Sequence, residues 1–116
     1  MKQIPLRTIS VNVPNEAEPV PLTYAESFRA VLGAPRRDGY SLEDIRTRVP
    51  IVDKLTAAIE NESASLLLED AQYKHLLAAV RAHRFGIVSR AILDMVDDLE
   101  HAPDVDVRPV AGEADG

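Results

Sequence analysis

Cysteine and tryptophan are absent from this 116-residue chain. Without cysteine there is neither a disulfide framework nor a thiolate metal site. Aromatics are scarce, with three Tyr and two Phe, so the core must be built from Leu, Ile, Val and Ala. No stretch approaches the roughly 18 consecutive apolar residues needed to span a membrane. Met1–Ser10 mixes Lys2 and Arg7 with isolated apolar residues and lacks the apolar run of a signal peptide. The expectation is an unexported protein, away from membranes, in a reducing cytoplasm. Equally missing are a glycine-rich phosphate loop, an HExxH pair and a serine elbow.

What is present is unevenly charged. Nineteen acids and thirteen Lys and Arg give a net charge of −6. Eight of the acids, against the single base Arg108, lie between Asp94 and Gly116, which leaves eleven acids and twelve bases in residues 1–93. The body is therefore nearly neutral and the C-terminal part acidic. An acidic end solvates the chain or offers a handle to a basic partner. Nucleic acid is not an expected partner, because neutralising phosphates requires a positive field.

Patterning divides the chain into three parts. In Leu6–Val13, Ile9, Val11 and Val13 alternate with Thr8, Ser10 and Asn12, the period of a half-buried strand, and Pro14 stops it. Val20 and Leu22 suit a short returning strand, confined to an edge by Pro19 and Pro21. Residues 1–22 thus read as an extended arm or a β-hairpin. Residues 23–101 read as a helical domain and residues 102–116 as a disordered acidic tail.

Four helices are expected in the middle part. Thr23 and Glu26 form a capping box opening a helix to about Leu32, with Tyr24, Phe28, Val31 and Leu32 inward. Ser41 caps a second helix whose stripe is Leu42, Ile45, Val49, Val52, Leu55 and Ile59. Pro50 should kink or restart it near Val49, because proline removes one hydrogen bond and clashes with the carbonyl of Arg46. Leu66–Leu68 fits either a short buried strand or the start of the next helix. A third helix then runs from Glu69 and Asp70 to about His83, burying Tyr73, Leu76, Leu77 and Val80. After a corner at Gly86, the last helix buries Val88, Ala91, Ile92, Met95, Val96 and Leu99 and presents Arg90, Asp94, Asp97, Asp98 and Glu100. The fold class is therefore read as mainly α: about four helices packed together with the N-terminal arm or hairpin. Its core should join Leu55, Ile59, Leu76, Leu77, Val80, Ile92, Val96 and Leu99.

No catalytic, cofactor-binding or metal-binding residues emerge. His75 and His83 lie about 12 Å apart along one helix, too far to share a metal ion. Asp97, Asp98 and Glu100 form a carboxylate group, which suits a solvated helix end better than acid–base work. Asn61–Ser63 matches a glycosylation sequon, which has no meaning without export. Two concentrations of charge remain as candidate partner-binding residues. Arg36 and Arg37, with Arg46 and Arg48 nearby, are the basic one. Asp94, Asp97, Asp98 and Glu100 are the acidic one, crowded into helix turns whose partial charge is already negative. Such broken local rules gather at functional surfaces. The same acids exclude a helix-turn-helix reading of the last two helices, since they would repel DNA phosphates.

The order of the pieces carries a resemblance. A capped short helix at Leu22–Leu32 precedes Ser41-Leu42-Glu43-Asp44 and a helix with Val49, Val52 and Leu55. A leucine segment with Glu69-Asp70, a helix with Leu76–Val80 and a glycine-marked turn into an amphipathic helix follow. In this order and apolar spacing, residues 6–100 resemble a group of small proteins of tailed phages and prophages. Pro50 departs from the continuous helix expected there, and Leu68 stands where a Ser cap often precedes the Glu-Asp pair. The resemblance implies a phage-encoded, non-enzymatic protein that acts through protein–protein contact in virion assembly, without a cofactor. Its expected place is the bacterial host cytoplasm or the virion. The alternative is a regulatory inhibitor that binds a host enzyme through its acidic helix end. Weak self-association, through the arginines and acids or through leftover apolar surface, accompanies either reading.

Overall fold

The computed structural model describes residues 1–12, 15–86 and 88–105. Along the chain run β1 (Lys2–Pro5), β2 (Thr8–Val11), β3 (Val20–Thr23), α1 (Tyr24–Leu32), α2 (Leu42–Glu60), β4 (Ser65–Leu68), α3 (Asp70–Ala82) and α4 (Arg90–Glu100). The architecture is a mixed α+β globule and not the mainly α packing expected from the sequence. Two small antiparallel sheets, β1–β4 and β2–β3, are built into it beside the four helices. Val13 and Pro14, expected to end the first strand, lie outside the described residues, as do Ile87 and the tail beyond Val105.

The departure has a local cause. Lys2-Gln3-Ile4-Pro5 is too short and mixed to announce a strand, yet it pairs with Leu66–Leu68, the segment whose sequence suits strand or helix. The register sets Lys2 opposite Leu68 and Ile4 opposite Leu66. This alternation turns Ile4, Leu66 and Leu68 into the core and leaves Leu67 outside. Residues 103–105 return along the other side of β1: the Gln3 N–H donates to the Pro103 carbonyl at 3.0 Å and the Val105 N–H to the Met1 carbonyl at 2.8 Å. The β2–β3 hairpin follows the expected alternation, with Val11 buried and Thr8 and Ser10 exposed.

Thr23 does not form the capping box. It is the last residue of β3, paired with Thr8, and its hydroxyl caps nothing. Ser41 caps α2 as read, its hydroxyl accepting the Asp44 N–H at 3.1 Å. Glu69 proves to be the cap position of α3, with Gln72 Oε1 accepting its N–H at 3.2 Å.

Helix α2 runs unbroken through Pro50, so the expected restart does not occur. Arg46 and Pro50 both lie on the exposed side, where water can serve the carbonyl that loses its donor. The buried row is Arg48, Ile51, Leu55 and Ala58. The expected stripe is displaced from it by about one residue in the first half of the helix, and Leu42, Ile45 and Val49 are 61%, 44% and 47% exposed. Val88 is likewise exposed rather than inward.

Helix α1 packs on α2 and α3, while α4 lies against α3, β1 and β2. Between them sits one core, whose fully buried members include Ile4, Tyr24, Phe28, Leu32, Ile51, Leu55, Leu68, Leu76, Met95 and Leu99. Of the expected core, Leu55, Leu76, Val80 and Leu99 are buried, Ile59, Leu77 and Val96 pack on it partly buried, and Ile92 is half-exposed. Each large apolar side chain so buried contributes about 1.5–3 kcal/mol.

Candidate functional site

Between α1 and α2 the chain turns through residues 33–41. Gly39 adopts φ +73°, a conformation costly for other residues, and its N–H donates to the Arg36 carbonyl at 3.0 Å. The Tyr40 hydroxyl donates back to the Ala34 carbonyl. These bonds fold the loop onto itself and hold the Tyr40 ring in place. Two guanidinium groups then stack on that ring, Arg36 at 4.7 Å and Arg48 at 4.8 Å from its centre.

The folded loop faces the C-terminal end of α3 across a cleft of about 540 Å³. Val31, Ala34, Pro35, Ala79 and Ala82 supply apolar wall, Arg36, Arg37 and Arg84 supply positive charge, and the His83 ring adds a polar edge. Arg36 has a carboxylate partner, Asp44, at 3.8 Å. Arg37 and Arg84 have none among the described residues. Behind Tyr40, Arg48 is buried, donates one N–H to the Leu32 carbonyl at 2.9 Å and keeps its Nε without a partner. His75, one helix face further in, also has a buried and unpartnered nitrogen, Nε2. Its pKa is lowered from 6.5, first by burial and then by the charge of Arg48, with Asp44 opposing and Arg36 adding to the shift. A positive field therefore reaches behind the cleft wall.

The candidate acids are disposed differently. Asp98 accepts the buried Tyr24 hydroxyl at 2.7 Å and pairs with Arg7 at 3.6 Å. Glu100 holds Arg81 through contacts of 3.0 and 2.9 Å. Asp94 and Asp97 remain exposed on α4. Among the described residues no ion pair joins these acids to Arg36 or Arg37, so the two groups form separate surfaces. The crowded end of α4 has a structural counterweight as well. The Tyr73 hydroxyl donates to the Leu99 carbonyl at 2.7 Å, and the His101 N–H to the Asp97 carbonyl at 3.0 Å, which satisfies part of the helix terminus.

Sequence reading found Arg36 and Arg37 but missed Arg84, His83 and Tyr40. The basic run Arg81–Arg84 was a visible signal. Its nearness to Arg37 depends on α1 packing across α3, which no local pattern encodes. Among the described residues no group of three His, Asp or Glu side chains is placed to hold a metal ion. No helix among them is long and apolar enough to cross a membrane. No family model matches the chain, and no curated protein or solved structure is significantly similar to it.

Proposed function

We propose that this protein is a non-enzymatic protein–protein interaction factor whose contact surface is the arginine-lined cleft between residues 33–41 and the end of α3. The supporting observation is the convergence of Arg36, Arg37, Arg84 and His83 on one concave surface with apolar walls. Concave sites with a few placed polar groups are where ligands dock. The opposite reading, an inhibitor acting through its acidic helix end, has less support, because Asp98 and Glu100 are held by Tyr24, Arg7 and Arg81 within the fold. Phage or prophage origin, with virion assembly in the host cytoplasm as the setting, belongs to the proposal on element order and apolar spacing alone. Capsid, portal or tail genes beside its own would support that setting; lysogeny genes would oppose it.

The test compares affinity capture by three forms of the full chain: unaltered, R37E/R84E and D94N/D97N. The partner should be retained by the acid variant and lost by the arginine variant. A partner kept by R37E/R84E and lost by D94N/D97N would transfer the function to the acidic surface. Weak self-association is part of the same proposal, with Arg37 and Arg84 of one copy meeting Asp94 and Asp97 of another. Such pairing should weaken as salt rises, because exposed charges are screened over about 8 Å at physiological ionic strength. Sedimentation at low and high salt reads it directly, and a monomer at every salt removes self-association from the proposal.

A further inference from the structure

The charge around the cleft does not balance. Arg36, Arg37, Arg48 and Arg84 stand against Asp44 and the exposed Asp38. Most telling is Arg48. It is only 7% exposed, rests on Tyr40, has one hydrogen bond to a carbonyl and has no carboxylate partner among the described residues. Burying a charge without an opposite one is unfavourable, and the usual remedy is a paired anion. Here Asp44, on the same helix, pairs with Arg36 instead. Arg37 and Arg84 are exposed, without a carboxylate partner among the described residues, on two different segments bordering the same cleft. Guanidinium groups take carboxylates through parallel N–H bonds, a geometry that Lys cannot offer.

Resting on the proposed role in protein contact, we infer that the cleft recognises an acidic peptide segment: two neighbouring carboxylates beside an apolar side chain. Two negative charges answer the surplus of two arginines over acids. The apolar side chain matches the wall made by Val31, Ala34, Pro35, Ala79 and Ala82. That wall disfavours a bare phosphate group, which would leave it in contact with water. A nucleic-acid strand is disfavoured by the net charge of −6 and the exposed Asp94 and Asp97. The volume of about 540 Å³ lies within the range of sites that enclose a compact ligand. A bound anion also alters the field at His75, which lies close enough to feel Arg48 and Arg36.

The probe is a blocked tetrapeptide of leucine, two aspartates and leucine, titrated into the full chain by calorimetry and by NMR of the histidine rings. Its counterpart with two asparagines and inorganic phosphate are the other arms. The aspartate peptide should bind and shift the His75 and His83 ring signals, and the asparagine peptide should bind about tenfold more weakly or worse. R37A/R84A should lose binding by at least about tenfold while keeping the thermal melt of the unaltered chain, since both side chains are exposed. Equal binding of the two peptides would overturn the inference, as would binding that ignores R37A/R84A. Phosphate that displaces the peptide at equal concentration would assign the cleft to a phosphate group instead. If the peptide fails but partner capture still depends on Arg37 and Arg84, only the ligand chemistry falls. If capture ignores these arginines, the proposed function falls as well.

Discussion

At Tyr24 the sequence suggests only an inward aromatic, but the structure gives it a polar task. Its ring packs at 6.1 Å from Phe28 in the core and its hydroxyl donates to Asp98, which Arg7 also holds. Burial, then the bond to Asp98 and the charge of that carboxylate, push the phenol pKa from 10.0 up to about 12. The sign follows from linkage. Below pH 10 the phenol is neutral in both folded and unfolded chains, and its contribution to stability is fully present. Between 10 and about 12 the unfolded chain ionises first, so that contribution is lost as pH rises through the folded value. An ultraviolet titration should show one of the three tyrosines ionising near 12, and Y24F should remove that step. Y24F should also lower stability by about 1–2 kcal/mol, through the lost hydrogen bond to a charged acceptor. Leu76 tests packing alone. It is fully buried, and L76A should cost about 2–5 kcal/mol from lost transfer energy plus the cavity. A melt that hardly moves would place Leu76 outside the cooperative core.

Helix α2 shows how an element overrides a local rule. Proline inside a helix is about 3 kcal/mol less favourable than alanine. Cooperative packing of Ile51, Leu55 and Ala58 on the core nonetheless holds the helix together across Pro50. P50A should therefore stabilise the protein, by about 1–3 kcal/mol, because the exposed site can regain the bond to the Arg46 carbonyl without steric conflict. Each kcal/mol raises the melting temperature by roughly 4–8 °C in a domain of this size. An unchanged or lowered melt would mean that the helix is bent around the proline in a way alanine cannot use. The same element explains a misread face. Leu42, Ile45 and Val49 carry the more hydrophobic spacing, yet the row through Arg48 is buried because its guanidinium reaches Leu32 and Tyr40 while its stem covers apolar surface. The sequence spacing ranked faces by hydrophobicity. Packing chose the face that also satisfied the loop.

For the whole molecule, the two ends of the described chain matter more than their composition suggests. Residues 1–5, an arm by sequence, sit between β4 and residues 103–105, and Lys2 pairs with Asp104 at 3.2 Å. Ile4 inserts a fully buried side chain into the core. I4A should cost about 2–5 kcal/mol, as much as a substitution in the helices. Amide exchange at Gln3 and Val105, which donate across this join, should speed up together with global unfolding in that variant. Fast exchange at both sites in the unaltered protein would show that the ends are not part of the cooperative unit.

Periodicity by itself determined the elements whose apolar pattern is local: α1 with Tyr24, Phe28, Val31 and Leu32 inward, α3 with Leu76 and Val80, α4 with Met95 and Leu99, and the alternation of β2. These survive because a helix or hairpin stripe is written in residues a few positions apart. It also exposed Arg36 and Arg37 as a basic pair, since charge is a property of the residue. Only tertiary structure decided that Lys2–Pro5 is a strand, that Leu66–Leu68 is its partner and that Asp98 and Glu100 serve the fold. It alone brought Arg84 and Arg37 to one cleft and left Arg48 buried without a carboxylate partner among the described residues. Each of these depends on groups far apart in sequence, and long-range pairing leaves no period in the chain to be read.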